Sequence, residues 1–101
     1  MFLDLSSLNN IYESDSVGSE GGVIIENEEY KNECRITLER CGQYDAITCG
    51  VYGGMVHTAF CDSSRSQEVY SNMKRDLEDF FDKDTTLEEA ELFYDKFTSK
   101  Y

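Results

Sequence analysis

Apolar and polar residues alternate through most of residues 23–61, and two residue pairs suited to tight turns interrupt the alternation. A side-chain period of two is that of a β-strand with one covered face. Gly42-Gln43 and Gly53-Gly54 fit two-residue hairpin turns, so neighbouring strands are expected to pair antiparallel in a meander. The pattern predicts four consecutive strands, at 23–30, 34–41, 44–52 and 55–61.

Together the two turns predict the register of the last three strands. Leu38 is expected to face Ile47, and Ile47 to face Phe60, which brings a largely apolar set onto one sheet face. Val23 and Ile25 are expected to extend it. A slip of one residue would move a strand's side chains to the other face, so the agreement of two turns supports this register. The predicted face comprises Cys34, Ile36, Leu38, Ile47, Cys49, Val51, Val56, Thr58 and Phe60.

The opposite face of the predicted sheet mixes small, aromatic and polar side chains. It holds Tyr44, Tyr52 and His57, with His57 directly across from Gly50. If this face is open, its aromatic residues have the composition of an interface centre. The alternative is that the N-terminal residues cover it and make a second small core.

Two amphipathic helices are predicted after the strands. Ser64-x-x-Gln67 and Thr86-x-x-Glu89 resemble capping boxes, and apolar residues follow each at helical spacing. The helices are expected to pack on the apolar sheet face, which gives an α+β fold with a single domain at 23–101. Residues 1–22 are expected to form an N-terminal arm, with a weak short-helix pattern and then a loop, that docks on this domain.

Charge limits the partners that this chain can bind. Its 101 residues include 21 acidic and 9 basic ones, for a formal net charge of -12. Phosphate backbones and anionic membranes would repel such a protein, so neither nucleic acid nor a membrane is an expected partner. The chain has no long apolar segment and no basic signal-peptide start, so it is expected in the cytoplasm, with reduced cysteines.

Catalytic, metal-binding and cofactor motifs are not found in the sequence. His57 is the single histidine, and the predicted register separates it from every cysteine. The cysteine spacing lacks the close pairs of a zinc site, and Asp82-Lys83-Asp84 lacks the rest of a calcium loop. We therefore expect neither an enzyme nor a bound metal or cofactor.

Carboxylates are concentrated where the two helices meet. Lys83 is the one basic residue among them. Several lie near the C-terminal end of the first helix, where the helix dipole disfavours negative charge, so helix stability does not account for them. They form either a solvated face or a binding surface for a basic protein, with Tyr44, Tyr52 and His57 as further candidates. The cluster comprises Asp76, Glu78, Asp79, Asp82, Asp84, Glu88, Glu89 and Glu91.

Residues 44–60, YDAITCGVYGGMVHTAF, followed by a helix with Tyr70-x-x-Met73-Lys74, resemble small bacterial immunity proteins of polymorphic toxin and contact-dependent inhibition systems. The resemblance covers roughly residues 23–83. It implies a cytosolic antidote that binds a cognate toxin domain, often a nuclease, and blocks its active site. Because such families diverge on the toxin-binding surface, no contact residue carries over.

Two other function classes fit parts of the sequence. A phage-type DNA mimic that inhibits a nucleic-acid-binding protein would use the same acidic surface. A small enzyme built on His57 and a cysteine would need a pocket that joins those side chains. The sequence indicates no oligomeric state.

Overall fold

The computed structural model describes residues 2–5 and 20–101, which form an antiparallel five-stranded sheet followed by two helices. The strands are β1 (Leu3–Asp4), β2 (Val23–Tyr30), β3 (Cys34–Arg40), β4 (Asp45–Val51) and β5 (Val56–Cys61), and the helices are α1 (Ser66–Phe81) and α2 (Leu87–Lys100). The sheet has the order β1-β2-β3-β4-β5. The predicted α+β class, meander and C-terminal helices are therefore confirmed.

The number of strands is five because residues of the N-terminal segment join the sheet. Leu3 pairs with Glu29 and Asp4 with Glu28, where a short helix had been the weak prediction. The Phe2 ring then lies 5.1 Å from that of Tyr30. Most of the predicted arm, residues 6–19, lies outside the described residues.

The hairpin of β3 and β4 has the predicted register. Cys34 faces Val51, Ile36 faces Cys49 and Leu38 faces Ile47. Gly42 in the turn has a φ of 96°, a conformation that favours glycine. Here the turn residues and the hydrophobic pattern favour the same pairing, so sequence and structure agree.

The predicted register of β4 and β5 is wrong by one residue. Ile47 faces Ala59 instead of Phe60, and Cys49 faces His57 instead of Thr58. The Val51 N–H donates to the Met55 carbonyl at 2.8 Å, so the loop has three residues, 52–54, rather than the two glycines alone. The backbone N–H of Tyr52 does not take part in this loop, because it donates to the Glu33 carbonyl of the β2–β3 turn.

This slip reverses the two faces of β5. His57 lies on the helix-covered face, where its ring is 6.3 Å from that of Phe97, and the expectation that it lies beside Gly50 is wrong. Val56 and Phe60 lie on the outer face with Thr58, and they are 77% and 58% exposed.

Strand β2 also departs from the prediction, because a bulge between Ile24 and Glu26 shifts its register. Glu26 and Glu28 thereby face Leu38 and Ile36 on the helix-covered side of the sheet. The expected extension of the apolar face by Val23 and Ile25 is wrong, since both are exposed.

The acidic side chains of β2 bind helix α1. Glu28 accepts hydrogen bonds from the Tyr70 hydroxyl and the Lys74 ammonium, each at 2.8 Å. The Tyr70 ring is buried, and its burial and the bond to Glu28 raise the pKa of its hydroxyl. The Lys74 ammonium lies over this ring, 5.1 Å from its centroid. The contact thus joins an apolar ring, a carboxylate and an ammonium across the sheet–helix interface.

Both helices cover the apolar face that was predicted for β3 and β4, and their buried side chains complete one core with the sheet. Residues that the apolar stripes predicted, such as Met73, Leu77 and Phe97, are buried, whereas Leu92 off the stripe is 60% exposed. The core comprises Tyr30, Cys34, Ile36, Leu38, Ile47, Cys49, Val51, Ala59, Tyr70, Met73, Leu77 and Phe97. Neither helix is both long and apolar enough to cross a membrane.

Asp45, rather than the predicted Ser64-x-x-Gln67 box, anchors the start of α1. The N-cap is Arg65, whose side chain makes no capping hydrogen bond. The fully buried Asp45 carboxylate accepts a 2.8 Å hydrogen bond from the Ser63 hydroxyl and lies 3.6 Å from Arg40 Nε. Burial alone would raise the pKa of Asp45, but contacts with Ser66, Ser63 and Arg40 outweigh it and lower the pKa.

Replacement of Asp45 by Asn is expected to destabilise the fold by about 2 kcal/mol at pH 7, because Ser63 and Arg40 lose a charged acceptor. Since the folded pKa is depressed, the contribution is complete above the unfolded pKa of about 3.9 and is lost as the pH falls through the folded value. Urea unfolding at pH 7 and below pH 4 measures this difference, which should shrink in acid. Asp62→Asn, at an exposed aspartate, is the control; equal stabilities of the two variants would contradict the role of Asp45.

Candidate partner-binding surfaces

Residues 76–91 span the last part of α1, the connecting loop and the first turns of α2, and we call this segment the helix junction. All eight predicted carboxylates lie in it. The structure separates them into side chains that hold the fold together and side chains that face solvent.

Asp76 joins the C-terminal end of the chain to α1. Its carboxylate accepts hydrogen bonds from the Tyr101 hydroxyl at 2.6 Å and from the Lys100 ammonium at 2.9 Å. Partial burial favours the neutral acid, but these two bonds outweigh it and lower the pKa of Asp76. These hydrogen bonds between the two helices therefore offset the unfavourable interaction of Asp76 with the helix dipole near the end of α1.

Asp82 joins the end of α1 to the turn between β2 and β3. Its carboxylate accepts hydrogen bonds from the Tyr30 hydroxyl and, at 3.0 Å, from the Lys31 ammonium. Both bonds favour the ionised acid and lower the pKa of Asp82. Tertiary contacts, rather than helix stability, therefore account for the positions of Asp82 and Asp76.

Glu89 has the helix-capping role that the sequence predicted. The Glu89 N–H donates to the Thr86 hydroxyl at 3.1 Å, and the Glu89 carboxylate accepts from the Thr86 N–H at 3.0 Å. These hydrogen bonds lower the pKa of Glu89. Asp76, Asp82 and Glu89 are thus engaged within the fold.

Asp79, Asp84, Glu88 and Glu91 are exposed, and Glu78 is half-buried. Asp79 lines a cleft between the helices, of about 330 Å³, together with Lys83 and Glu89. The rings of Phe80 and Phe93 also line this cleft and stack with centroids 4.2 Å apart and planes within 8°. The surface therefore combines carboxylates with aromatic rings, which is a suitable lining for an arginine or lysine side chain.

The two candidate tyrosines lie at opposite ends of the sheet's outer face. Tyr44 is 38% exposed, and its ring meets that of Phe60 edge-on with centroids 5.5 Å apart. Tyr52 is 53% exposed, and its hydroxyl donates to Glu29 at 2.7 Å. Phe60, absent from the sequence-based candidates, belongs to this surface because of the shifted β5 register.

His57 does not join the tyrosines or the helix junction. It lies across from Cys49, and its buried Nε2 atom has no hydrogen-bond partner among the described residues. This pairing brings the histidine close to a cysteine, contrary to the predicted separation. Cys49 is fully buried, and burial raises the pKa of its thiol to about 12, which holds the sulfur protonated and unsuited to nucleophilic attack.

Residues 2–5 and 20–101 contain His, Cys, Asp and Glu side chains, which are the usual metal ligands. In that part of the chain, no group of three or more His, Cys, Asp or Glu side chains is placed to hold a metal ion. Asp82 and Asp84, considered for calcium from the sequence, form no such group.

The difference between engaged and exposed carboxylates can be measured as stability. Asp76→Asn is expected to destabilise the protein by about 1 to 2 kcal/mol, because Tyr101 and Lys100 lose a charged acceptor. Asp79→Asn, which removes the same charge from the same helix, should stay within about 0.5 kcal/mol of the unchanged protein. Thermal and urea unfolding compare the two, and equal losses would contradict this division.

Comparisons of the chain with protein-family models, curated proteins and solved structures found no match.

Proposed function

We propose that this protein is a stoichiometric inhibitor that binds a basic protein through the helix junction, in the manner of an immunity protein bound to its cognate toxin domain. The observation that carries the proposal is the set of exposed carboxylates that have no ion-pair or hydrogen-bond partner among residues 2–5 and 20–101. Asp79, Asp84, Glu88 and Glu91 lie in one segment of 16 residues that has a single lysine of its own.

The electrostatic field of this segment suits a positively charged partner. Lys100 and Lys31 each pair with one junction aspartate, so the remaining carboxylates dominate the charge on this side of the protein. A concentrated negative field accelerates encounter with a basic surface and leaves association sensitive to salt. Such a surface would compete with a nucleic acid for the basic groove of a nuclease.

The cleft beside Asp79 adds a specific contact to this general attraction. Its stacked rings, Phe80 and Phe93, present aromatic surface next to Asp79 and Glu89. An arginine side chain of the partner can lie against an aromatic ring and pair with a carboxylate at the same time. Outside the junction, Tyr44 and Tyr52 remain candidates for the rim of the interface.

Capture from the source cells, followed by mass spectrometry, tests the class of partner. The expected result is one basic protein recovered in stoichiometric amount, such as a nuclease domain encoded next to this chain. Recovery of no basic protein would contradict the proposal. A phage operon around the gene would instead favour the DNA-mimic alternative.

The double replacement Asp79→Lys/Asp84→Lys is expected to slow association with this purified partner at low salt by about tenfold or more, because two charges of the steering field are reversed. Asp62→Lys/Glu68→Lys changes the net charge by the same amount away from the junction and should have a much smaller effect. Stopped-flow or surface-binding kinetics measure both rates, and circular dichroism checks the fold. Equal rates for the two folded double variants would refute the junction as the binding surface.

A further inference from the structure

Strand β5 is the last strand of the sheet that the described residues form, and within those residues its outer edge is unpaired. Among the described residues, β5 pairs with β4 alone. Its six residues, VHTAFC, include no lysine, proline or carboxylate, which are common means of protecting an edge strand. Val56 and Phe60 on it are 77% and 58% exposed.

The hydrogen-bond alternation shows which backbone groups of β5 point away from the sheet. The Val51 N–H donates to the Met55 carbonyl, so positions 51 and 55 form a hydrogen-bonded pair. In an antiparallel ladder such pairs alternate, so residues 57, 59 and 61 direct their backbone groups to β4. Val56, Thr58 and Phe60 therefore direct their N–H and C=O groups toward the free edge, and their side chains lie on the outer face.

This edge is complementary to itself. If two copies approach antiparallel about a two-fold axis at Thr58, Val56 of each copy faces Phe60 of the other, and the two Thr58 residues face each other. In each of these three pairs, the outward-facing backbone N–H and C=O groups of one residue lie opposite those of the other, so the two residues can form backbone hydrogen bonds. The cross-strand contacts between valine and phenylalanine also bury side chains that are exposed in the single chain.

The charge distribution favours a second copy of this chain as the partner of the β5 edge. A basic partner finds no carboxylate on β5, and the single charged residue of β4, Asp45, is buried next to Arg40. Two copies with a net charge of -12 each repel through most of their surfaces, but the uncharged edges of β5 can meet without direct repulsion. We propose that this protein forms a homodimer by antiparallel pairing of β5 with β5 of a second copy, which gives one ten-stranded sheet.

This dimer is independent of the helix junction. The contact closes at two copies, because each copy has one β5 edge and the same surface is used on both sides. A strand-sized contact belongs to the smaller, weaker class of interfaces, so association is expected at concentrations on the order of 10 µM to 1 mM. Salt should strengthen the dimer, because it screens the repulsion between two acidic chains.

Sedimentation equilibrium of the full chain tests the proposal. The mass should rise from 11.6 kDa toward twice that value across this concentration range, and more readily in 0.5 M than in about 0.05 M salt, as screening requires. A mass that stays at 11.6 kDa throughout would overturn the proposal. Assemblies that grow beyond two copies would overturn it as well.

The double variant Val56→Lys/Phe60→Lys should remain monomeric at concentrations at least about tenfold higher, because each introduced lysine faces another across the two-fold axis. Leu87→Lys/Leu92→Lys is the matched control, since those leucines are 77% and 60% exposed on α2. It adds the same charge and should dimerise at least as readily as the unchanged protein. If the β5 variant dimerises at the same concentrations as the control, the proposal is overturned.

A mixing experiment tests the register itself. When Val56→Lys/Phe60→Lys is mixed with Val56→Glu/Phe60→Glu, each introduced lysine lies opposite an introduced glutamate. A heterodimer should form from two variants that are monomeric alone, and native mass spectrometry distinguishes it by mass. If both variants are folded and their mixture stays monomeric, this pairing is wrong.

Discussion

Carboxylates that accept hydrogen bonds from distant parts of the chain link α1 to the sheet and α2 to α1. Glu28 joins β2 to α1 through Tyr70 and Lys74, and Asp45 joins β4 to the start of α1 through Ser63. Asp82 and Asp76 make the corresponding contacts at the end of α1 and between the helices. Because ionised acceptors make stronger hydrogen bonds than neutral ones, these four links depend on the charge that gives the protein its acidity.

Whether a carboxylate is paired within the fold or exposed also determines how strongly it can interact with other molecules. A carboxylate already paired with a lysine contributes little field at a distance, whereas an exposed one contributes fully. Asp79, Asp84, Glu88 and Glu91 therefore carry the field of the helix junction, and the β5 edge carries no charge of its own. The two proposed interactions thus use different parts of the molecule: the helix junction for a basic protein and the β5 edge for a second copy.

The sequence predicted the structure correctly where local signals agreed. It did not where contacts between distant residues determined the strand register or the role of a side chain. The β3–β4 register and the Thr86 capping box followed from turn chemistry and side-chain period. The β5 register did not, because the Glu33 carbonyl holds the Tyr52 N–H and the loop became three residues long. Likewise, a carboxylate near the end of α1 looks unfavourable from the helix dipole alone, and the phenol that compensates Asp76 lies 25 residues away at Tyr101.

Partner binding at the helix junction need not compete with folding. A cation that had to displace Lys100 from Asp76 or Lys31 from Asp82 would exchange one ion pair for another, with little net gain. The exposed carboxylates are not paired within the described part of the fold. A partner could therefore pair with them without breaking a contact that stabilises the protein. Asp82 meanwhile ties the end of α1 to the β2–β3 turn, and Asp76 ties α1 to the end of α2, which lowers the ordering cost of binding. In the proposed complex, one residue type would therefore both build the binding surface and hold that surface rigid.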